Sequence, residues 1–223
     1  MPRALLFRGR IAGWGTTSGT RLVVGRWDES PFGAFADVMV ERPDGERLLL
    51  APTEDVAELV ASTYRFDRVE IVPVTVDDGD APSRPGAQNG SASRASDPWH
   101  VVAGPLEATL AVGPRTSLGR ALRAVPPRLA ASRWFTAVTD PVARVLLDGV
   151  RTRGSAGAGR VEHYGATDVH ALGSATTSWD GDDLGGIAPV DPPVRFGFGS
   201  TPRRPAMTDV VTTIVLPASG EHA

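Results

Sequence analysis

The chain contains neither cysteine nor lysine. Without cysteine it cannot form disulfides, thiolate nucleophiles, Cys-ligated zinc sites or iron–sulfur clusters. Without lysine it cannot form a Schiff base, a pyridoxal linkage or a P-loop. All 23 basic residues are therefore arginine, a bias that a GC-rich genome would explain. Any catalysis would depend on Asp, Glu, His, Tyr, Ser, Thr and Arg, and no cofactor is predicted.

The chain also lacks a charge excess and long apolar runs. Its net charge of −3 argues against a nucleic-acid-binding protein, which would need a clear basic excess. The apolar run near the N-terminus is short and Arg8 follows it at once, which is unlike a signal peptide. No stretch approaches the ~20 apolar residues of a membrane helix. We therefore expect a cytoplasmic protein that binds neither nucleic acid nor membrane, and its oligomeric state stays open.

Short β-branched and apolar segments dominate the first part of the chain. Residues 21–27 and 35–41 are predicted strands, and alternation in the second places Ala36, Val38 and Val40 on the core face. A turn at residues 43–46 predicts a hairpin with a following strand. Thr53 precedes two carboxylates, which predicts a helix that begins there and ends near Tyr64.

The rest of the chain mixes strands with helical and polar segments. Residues 69–76 form a predicted strand, in which Pro73 indicates an edge or a bulge. Small polar residues predict a flexible loop at about 77–98. Residues 116–150 are predicted to be mainly helical, and residues 160–179 to form two strands around a turn near Gly173.

This order predicts an α+β fold. We expect a β-rich curved antiparallel sheet or partly open barrel with two or three helices packed on one side. The whole chain, residues 1–223, is predicted to form a single domain that includes the flexible loop at about 77–98.

Residues 162–170 contain the densest group of chemically active side chains. In an unbroken strand, Asp168 and His170 would face the same side. A carboxylate beside an imidazole can orient it as a general base, so this pair is the candidate catalytic site. Two ligands do not make a metal site, and none is predicted. The alternative is a polar strand face with a satisfied histidine.

Five further residues are candidates for ligand binding. His163 and Tyr164 lie beside the Asp168–His170 pair in the sequence. Arg203 and Arg204 lie between prolines that restrict the backbone, so a guanidinium there could face an anionic group. Trp179 is one of five tryptophans spread along the chain, which are more typical of core or rim packing. These residues predict a small anionic or apolar ligand.

Three segments together resemble a known group of sequences. They are GRWDESPFGAFAD at 25–37, TDPVARV at 139–145 with YGATD at 164–168, and PVRFGFGSTP at 193–202. The chain resembles an uncharacterised family of hypothetical proteins from high-GC bacteria, a family with no known activity. The resemblance implies one structural unit and implies no mechanism.

Three functions remain open at this point. The first is binding of a small molecule in a cavity of the curved sheet. The second is a metal-independent hydrolase or isomerase that uses Asp168 and His170 as acid and base. The third is a structural or assembly subunit, whose strand at residues 69–76 would pair with a partner. Fold alone does not choose among them.

Overall fold

A computed structural model describes residues 4–77, 98–124, 153–155, 161–197 and 201–215, with only the backbone described at 153–155, 161–164 and 215. Most of the predicted loop at 77–98 and most of the predicted helical region at 116–150 lie outside these residues. The strands are β1 (Ala4–Thr16), β2 (Arg21–Glu29), β3 (Phe35–Glu41), β4 (Arg47–Ala51), β5 (Arg68–Ile71), β6 (Val74–Asp77), β7 (Trp99–Ala103), β8 (Leu106–Arg115), β9 (Arg153–Ser155), β10 (Val161–Trp179), β11 (Asp182–Asp183), β12 (Ile187–Ala188) and β13 (Ala206–Val215), and the helices are α1 (Glu54–Thr63) and α2 (Ser117–Arg123).

All the strands in the described part of the chain belong to one 13-stranded sheet with the order β5-β4-β3-β2-β1-β13-β10-β8-β7-β6. Neighbouring strands on this path are antiparallel, apart from the parallel pair β4 and β5. The short strands β9 and β11 pair with β10, and β12 pairs with β1. The prediction of a β-rich α+β fold built on a curved antiparallel sheet is confirmed.

The two end strands of the sheet are consecutive in the sequence. Only Val72 and Pro73 separate β5 from β6, although these strands lie at opposite ends of the strand order. The sheet must therefore curl until its ends approach each other, and β6 indeed contacts β3. The predicted strand at 69–76 divides at Pro73, where the missing N–H cannot join a ladder. The result is a curled half-barrel.

The concave side of the curl is filled by large apolar side chains from both ends of the sheet. Trp14 on β1 and Trp99 on β7 are almost completely buried there. Trp14 Nε1–H donates a hydrogen bond to Thr177 Oγ1 on β10 (3.1 Å). We call this the inner core, and its other buried members include Leu22, Val24, Val38, Val40, Leu48, Leu50, Val101, Leu106, Leu110 and Met207.

A second core lies on the convex side, which we call the outer face. There α1 and residues 190–196 cover one side of β1 to β4 with Val56, Val60, Val190, Val194 and Phe196. Strand β3 is consequently buried on both faces. The residues of the predicted core face point into the inner core, and Asp37, Met39 and Glu41 are buried on the outer face.

The two described helices occupy different places on the sheet. Helix α1 begins after Thr53, whose Oγ1 accepts a hydrogen bond from Val56 N–H (3.4 Å), and it ends at Thr63 with Tyr64 as its C-cap, near the predicted end. It packs on β4 and β5, whereas α2 packs mainly on β10. The prediction of two or three helices on one side is not confirmed. Of the helices described, neither is long and apolar enough to cross a membrane.

Candidate functional site

Asp168 and His170 lie in β10, which is one continuous strand. The prediction of two strands around a turn near Gly173 is therefore wrong. The first part of β10 pairs with β13 and the second part pairs with β8, with register shifts on both sides of Leu172. Glycine within a strand often marks such an irregularity rather than a chain reversal.

The strand brings the two predicted catalytic side chains together, as alternation requires. Asp168 Oδ2 lies 3.6 Å from His170 Nε2, and His170 Nδ1 lies 3.2 Å from the carbonyl oxygen of Gly113. Arg115 Nε donates to both carboxylate oxygens of Asp168 at 2.8 Å. We call Arg115, Asp168 and His170 the Asp168 network; its Asp and His side chains are 3% and 8% exposed.

Further charges and a close helix surround the Asp168 network. Asp209 on β13 is the direct cross-strand neighbour of Asp168, and Arg10 on β1 is in turn the neighbour of Asp209. Burial chiefly raises the pKa of Asp209, and the charge of Arg10 opposes this increase. A Cβ on Gly119 of α2 would lie 2.7 Å from Asp168 Oδ1. The network is thus packed and paired within the chain itself.

The other predicted residues do not join this network. Trp179 lies at the far end of β10, where the Arg42 guanidinium stacks 4.7 Å from its ring centroid. Arg203 Nη2 donates to Asp191 Oδ2 (2.5 Å), and Arg204 is exposed beside it. The side chains of His163 and Tyr164 lie outside the described residues.

A second candidate site lies between α1 and the outer face of the sheet. We call it the α1 pocket; its volume is ≈ 50 Å³. It is therefore a narrow slot rather than a broad cavity. Its lining is mostly apolar and consists of Phe7, Ile11, Val23, Gly25, Trp27, Phe35, Asp37, Met39, Leu59, Val60, Thr63, Tyr64, Thr212 and Ile214.

Two buried polar side chains, Asp37 and Thr212, interrupt this apolar lining. Asp37 is 4% exposed, and Trp27 Nε1–H donates a hydrogen bond to its Oδ1 (3.0 Å). Burial raises the pKa of Asp37 to about 6, against the opposing effect of the Trp27 hydrogen bond. Within the described residues no arginine forms an ion pair with this carboxyl. The hydroxyl of Thr212 is also buried and has no hydrogen-bond partner among those residues.

Gly25 makes the contact between Trp27 and Asp37 possible. It lies opposite Asp37 on the neighbouring strand, and a Cβ there would be 2.7 Å from Asp37 Oδ1 and 2.8 Å from Trp27 Nε1. Trp27 in turn packs edge-on against Phe7, with ring centroids 5.7 Å apart, and beside Phe35 at 6.3 Å. The carboxyl is therefore flanked by a continuous row of aromatic rings.

Sequence reasoning missed Asp37 because alternation in β3 assigned it to the face opposite the core. One signal was available in the sequence. Phe35 and Met39, which share the face of Asp37, are apolar, as are the residues on the predicted core face. A strand with apolar residues at both parities is typical of burial on both faces. A carboxyl within such a strand marks a special environment.

Comparisons with protein-family models, with curated proteins and with solved structures found no match to this chain. The resemblance to hypothetical proteins of high-GC bacteria stays a prediction.

Proposed function

We propose that this protein binds a small, largely apolar molecule in the α1 pocket. The observation that supports this function is a buried carboxyl, Asp37, which lines an apolar slot and has no counter-charge among the described residues. Binding sites are typically apolar clefts with a few polar groups that orient the ligand, and a carboxyl with a displaced pKa often marks them. The slot differs from the expected cavity in that it lies under a helix on the outer face.

The narrowness of the slot limits the shape of its ligand. A flat ring or an extended chain fits a slot of this volume better than a bulky, globular molecule. The apolar lining supplies the binding energy by burial, and Thr212 supplies a second polar contact. Its hydroxyl, which has no hydrogen-bond partner among the described residues, would gain a hydrogen bond from a ligand that reaches it, and this removes the cost of leaving that group unsatisfied.

The Asp168 network supports the alternative, a hydrolase or isomerase, less well. Its carboxylate already accepts hydrogen bonds from Arg115 and from Val169 N–H, and its imidazole faces a carbonyl oxygen on one side. Such a group of mutually paired side chains resembles the satisfied strand face considered above. If purified protein hydrolysed ester or phosphate substrates and His170→Ala abolished that turnover, the alternative would be favoured instead.

A fluorescent apolar probe tests the proposed function. N-phenyl-1-naphthylamine brightens when it leaves water, so its titration with the protein reports an apolar site. Leu59→Trp fills the α1 pocket, and Glu58→Trp places the same side chain on the exposed side of α1 as a matched control. We expect the wild type and the control to bind the probe, and the filled variant to lose at least about tenfold in affinity.

Two outcomes would contradict the proposal. One is a wild type that does not brighten the probe, and the other is equal binding by both tryptophan variants, which would place the probe elsewhere. If Leu59→Trp fails to fold by circular dichroism, Thr63→Phe fills the same slot from the next turn of α1 and replaces it.

A further inference from the structure

Asp37 has an unused hydrogen-bonding oxygen in the wall of the α1 pocket. Trp27 Nε1–H donates a hydrogen bond to Oδ1, and no hydrogen bond to Oδ2 occurs within the described residues. Ionising a buried carboxyl without a positive partner is costly, because the low-dielectric surroundings do not replace the lost water. A ligand that carries a positive charge to Oδ2 would remove this cost, whereas a negative ligand would increase it.

The aromatic rings beside Asp37 favour the same ligand charge. Phe7, Trp27 and Phe35 form a row in which neighbouring ring centroids are 5.7 and 6.3 Å apart. The face of an aromatic ring attracts a cation, and the indole ring does so most strongly. The Trp27 indole directs its N–H edge toward Asp37, so an ammonium at Oδ2 would lie near this row of rings without lying over the face of Trp27.

The helix that covers the slot carries charges of one sign. The charged residues within Glu54–Thr63 are Glu54, Asp55 and Glu58, all of them acidic and exposed. A surface with this charge raises the local concentration of cations and repels anions. This observation concerns the exposed side of α1 and is independent of the geometry around Asp37.

We infer that the ligand of the α1 pocket is an apolar amine, whose ammonium group pairs with Asp37 while its hydrocarbon part lies along Phe7, Trp27 and Phe35. This inference rests on the proposed function, since it names the ligand class of the same slot. The sequence predicted an anionic ligand for Arg203 and Arg204 instead. In the structure Arg203 pairs with Asp191, so its charge is already matched within the chain.

A matched ligand series tests the inference. Octylamine, octanol and octanoate each contain eight carbons, and their head groups are positive, neutral and negative, respectively. Their affinities are measured at about pH 8, where free amines are protonated and carboxylic acids ionised. Displacement of N-phenyl-1-naphthylamine and the NMR shift of the Trp27 indole N–H, assigned with Trp27→Phe, report binding in the slot. We expect octylamine to bind at least about tenfold more tightly than octanol, and octanoate most weakly.

Asp37→Asn separates the ion pair from apolar binding. The amide oxygen can still accept the hydrogen bond from Trp27 N–H, so the local geometry is retained. We expect the variant to lose the preference for octylamine over octanol. An octylamine preference that survives in Asp37→Asn would overturn the assignment of the ammonium to this carboxyl.

The outcomes distinguish this inference from the proposed function. If all three compounds displace the probe equally, or if octanoate binds most tightly, the amine inference is wrong and the binding function stands. If the probe does not bind the slot in the first place, the proposed function itself fails.

Discussion

Asp37 shows how one side chain can oppose the stability of the fold that contains it. Its carboxyl lies among apolar and aromatic side chains, and a single hydrogen bond from Trp27 offsets part of its burial. The ordinary pKa of 3.8 rises to about 6 in the folded chain. Between pH 3.8 and about 6, the folded state therefore holds a proton that the unfolded state has already lost.

We predict that Asp37→Asn changes the pH dependence of stability. Below pH 3.8 the protonated Asp37 carboxyl costs the folded wild type little. As pH rises from 3.8 to about 6, the free energy of unfolding of the wild type falls, because the unfolded chain loses this proton first, and the full loss is reached above about pH 6. The shift corresponds to about 3 kcal/mol as an upper estimate. Urea unfolding should therefore give the variant a higher free energy of unfolding than the wild type at neutral pH, and the same free energy near pH ~4. A difference that stays constant with pH would contradict this prediction.

Glu41 is a buried carboxylate of the opposite kind, because two arginines pair with it. Its side chain is 0% exposed; Arg195 Nε lies 2.8 Å from Oε1, and Arg21 Nη2 lies 3.3 Å from the same atom. The Arg195 backbone N–H also donates to Oε2 (2.6 Å). One side chain of β3 thereby holds residues 190–196 against the sheet.

We predict that Glu41→Gln lowers the free energy of unfolding by about 3–5 kcal/mol, because it leaves Arg21 buried without its counter-charge. Glu46→Gln is the matched control. Glu46 is 33% exposed and pairs with Arg42 at 3.4 Å, so its loss should cost at most about 1 kcal/mol. Urea unfolding of both variants measures the difference. Equal effects would show that burial of the Glu41 pair does not matter.

At the level of elements, α1 is the part of the fold that local sequence predicts best. Its N-cap, its acidic first turn and its apolar stripe are all encoded within about ten neighbouring residues. Strand β10 is the opposite case. A glycine near its middle indicates a turn when read locally, yet the strand continues because β13 and β8 pair with its two parts.

We predict that Thr53→Ala destabilises the fold by about 1 kcal/mol, since it removes the oxygen that accepts the Val56 N–H. Glu58→Ala, on the exposed side of the same helix, should change stability by less than about 0.5 kcal/mol. Thermal unfolding compares the two variants. An equally small effect of Thr53→Ala would mean that water replaces the cap.

At the level of the whole molecule, the inner core joins the two ends of the curled sheet. Leu22 and Leu48 come from one end, and Leu106 and Leu110 come from the other. The Arg10 guanidinium on β1 lies 5.4 Å from the Trp99 ring centroid, which joins the middle of the sheet to the end that contains β7. We therefore expect these strands to unfold together.

We predict that Leu110→Ala costs about 2–5 kcal/mol and weakens both ends of the sheet equally. Leu110 is 0% exposed, whereas Val102 on the adjacent β7 is 46% exposed, so Val102→Ala should cost less than about 0.5 kcal/mol. Urea unfolding gives the loss, and amide hydrogen exchange compares β2 with β8. Loss of protection in β8 alone would contradict a shared core.

The sequence by itself determined the excluded chemistries, the β-rich α+β class, helix α1, the hairpin of β3 and β4, and the shared face of Asp168 and His170. These features depend on composition or on residues close together in the chain. The tertiary structure alone decided that β10 is continuous, that the sheet curls until β5 and β6 lie on either side of Pro73, and that β3 is buried on both sides. Alternation shows which side of a strand is apolar, but it does not show which distant segments cover the other side. For Asp37 that cover is α1, and it turns a carboxyl on the face opposite the predicted core into the polar group of an apolar slot.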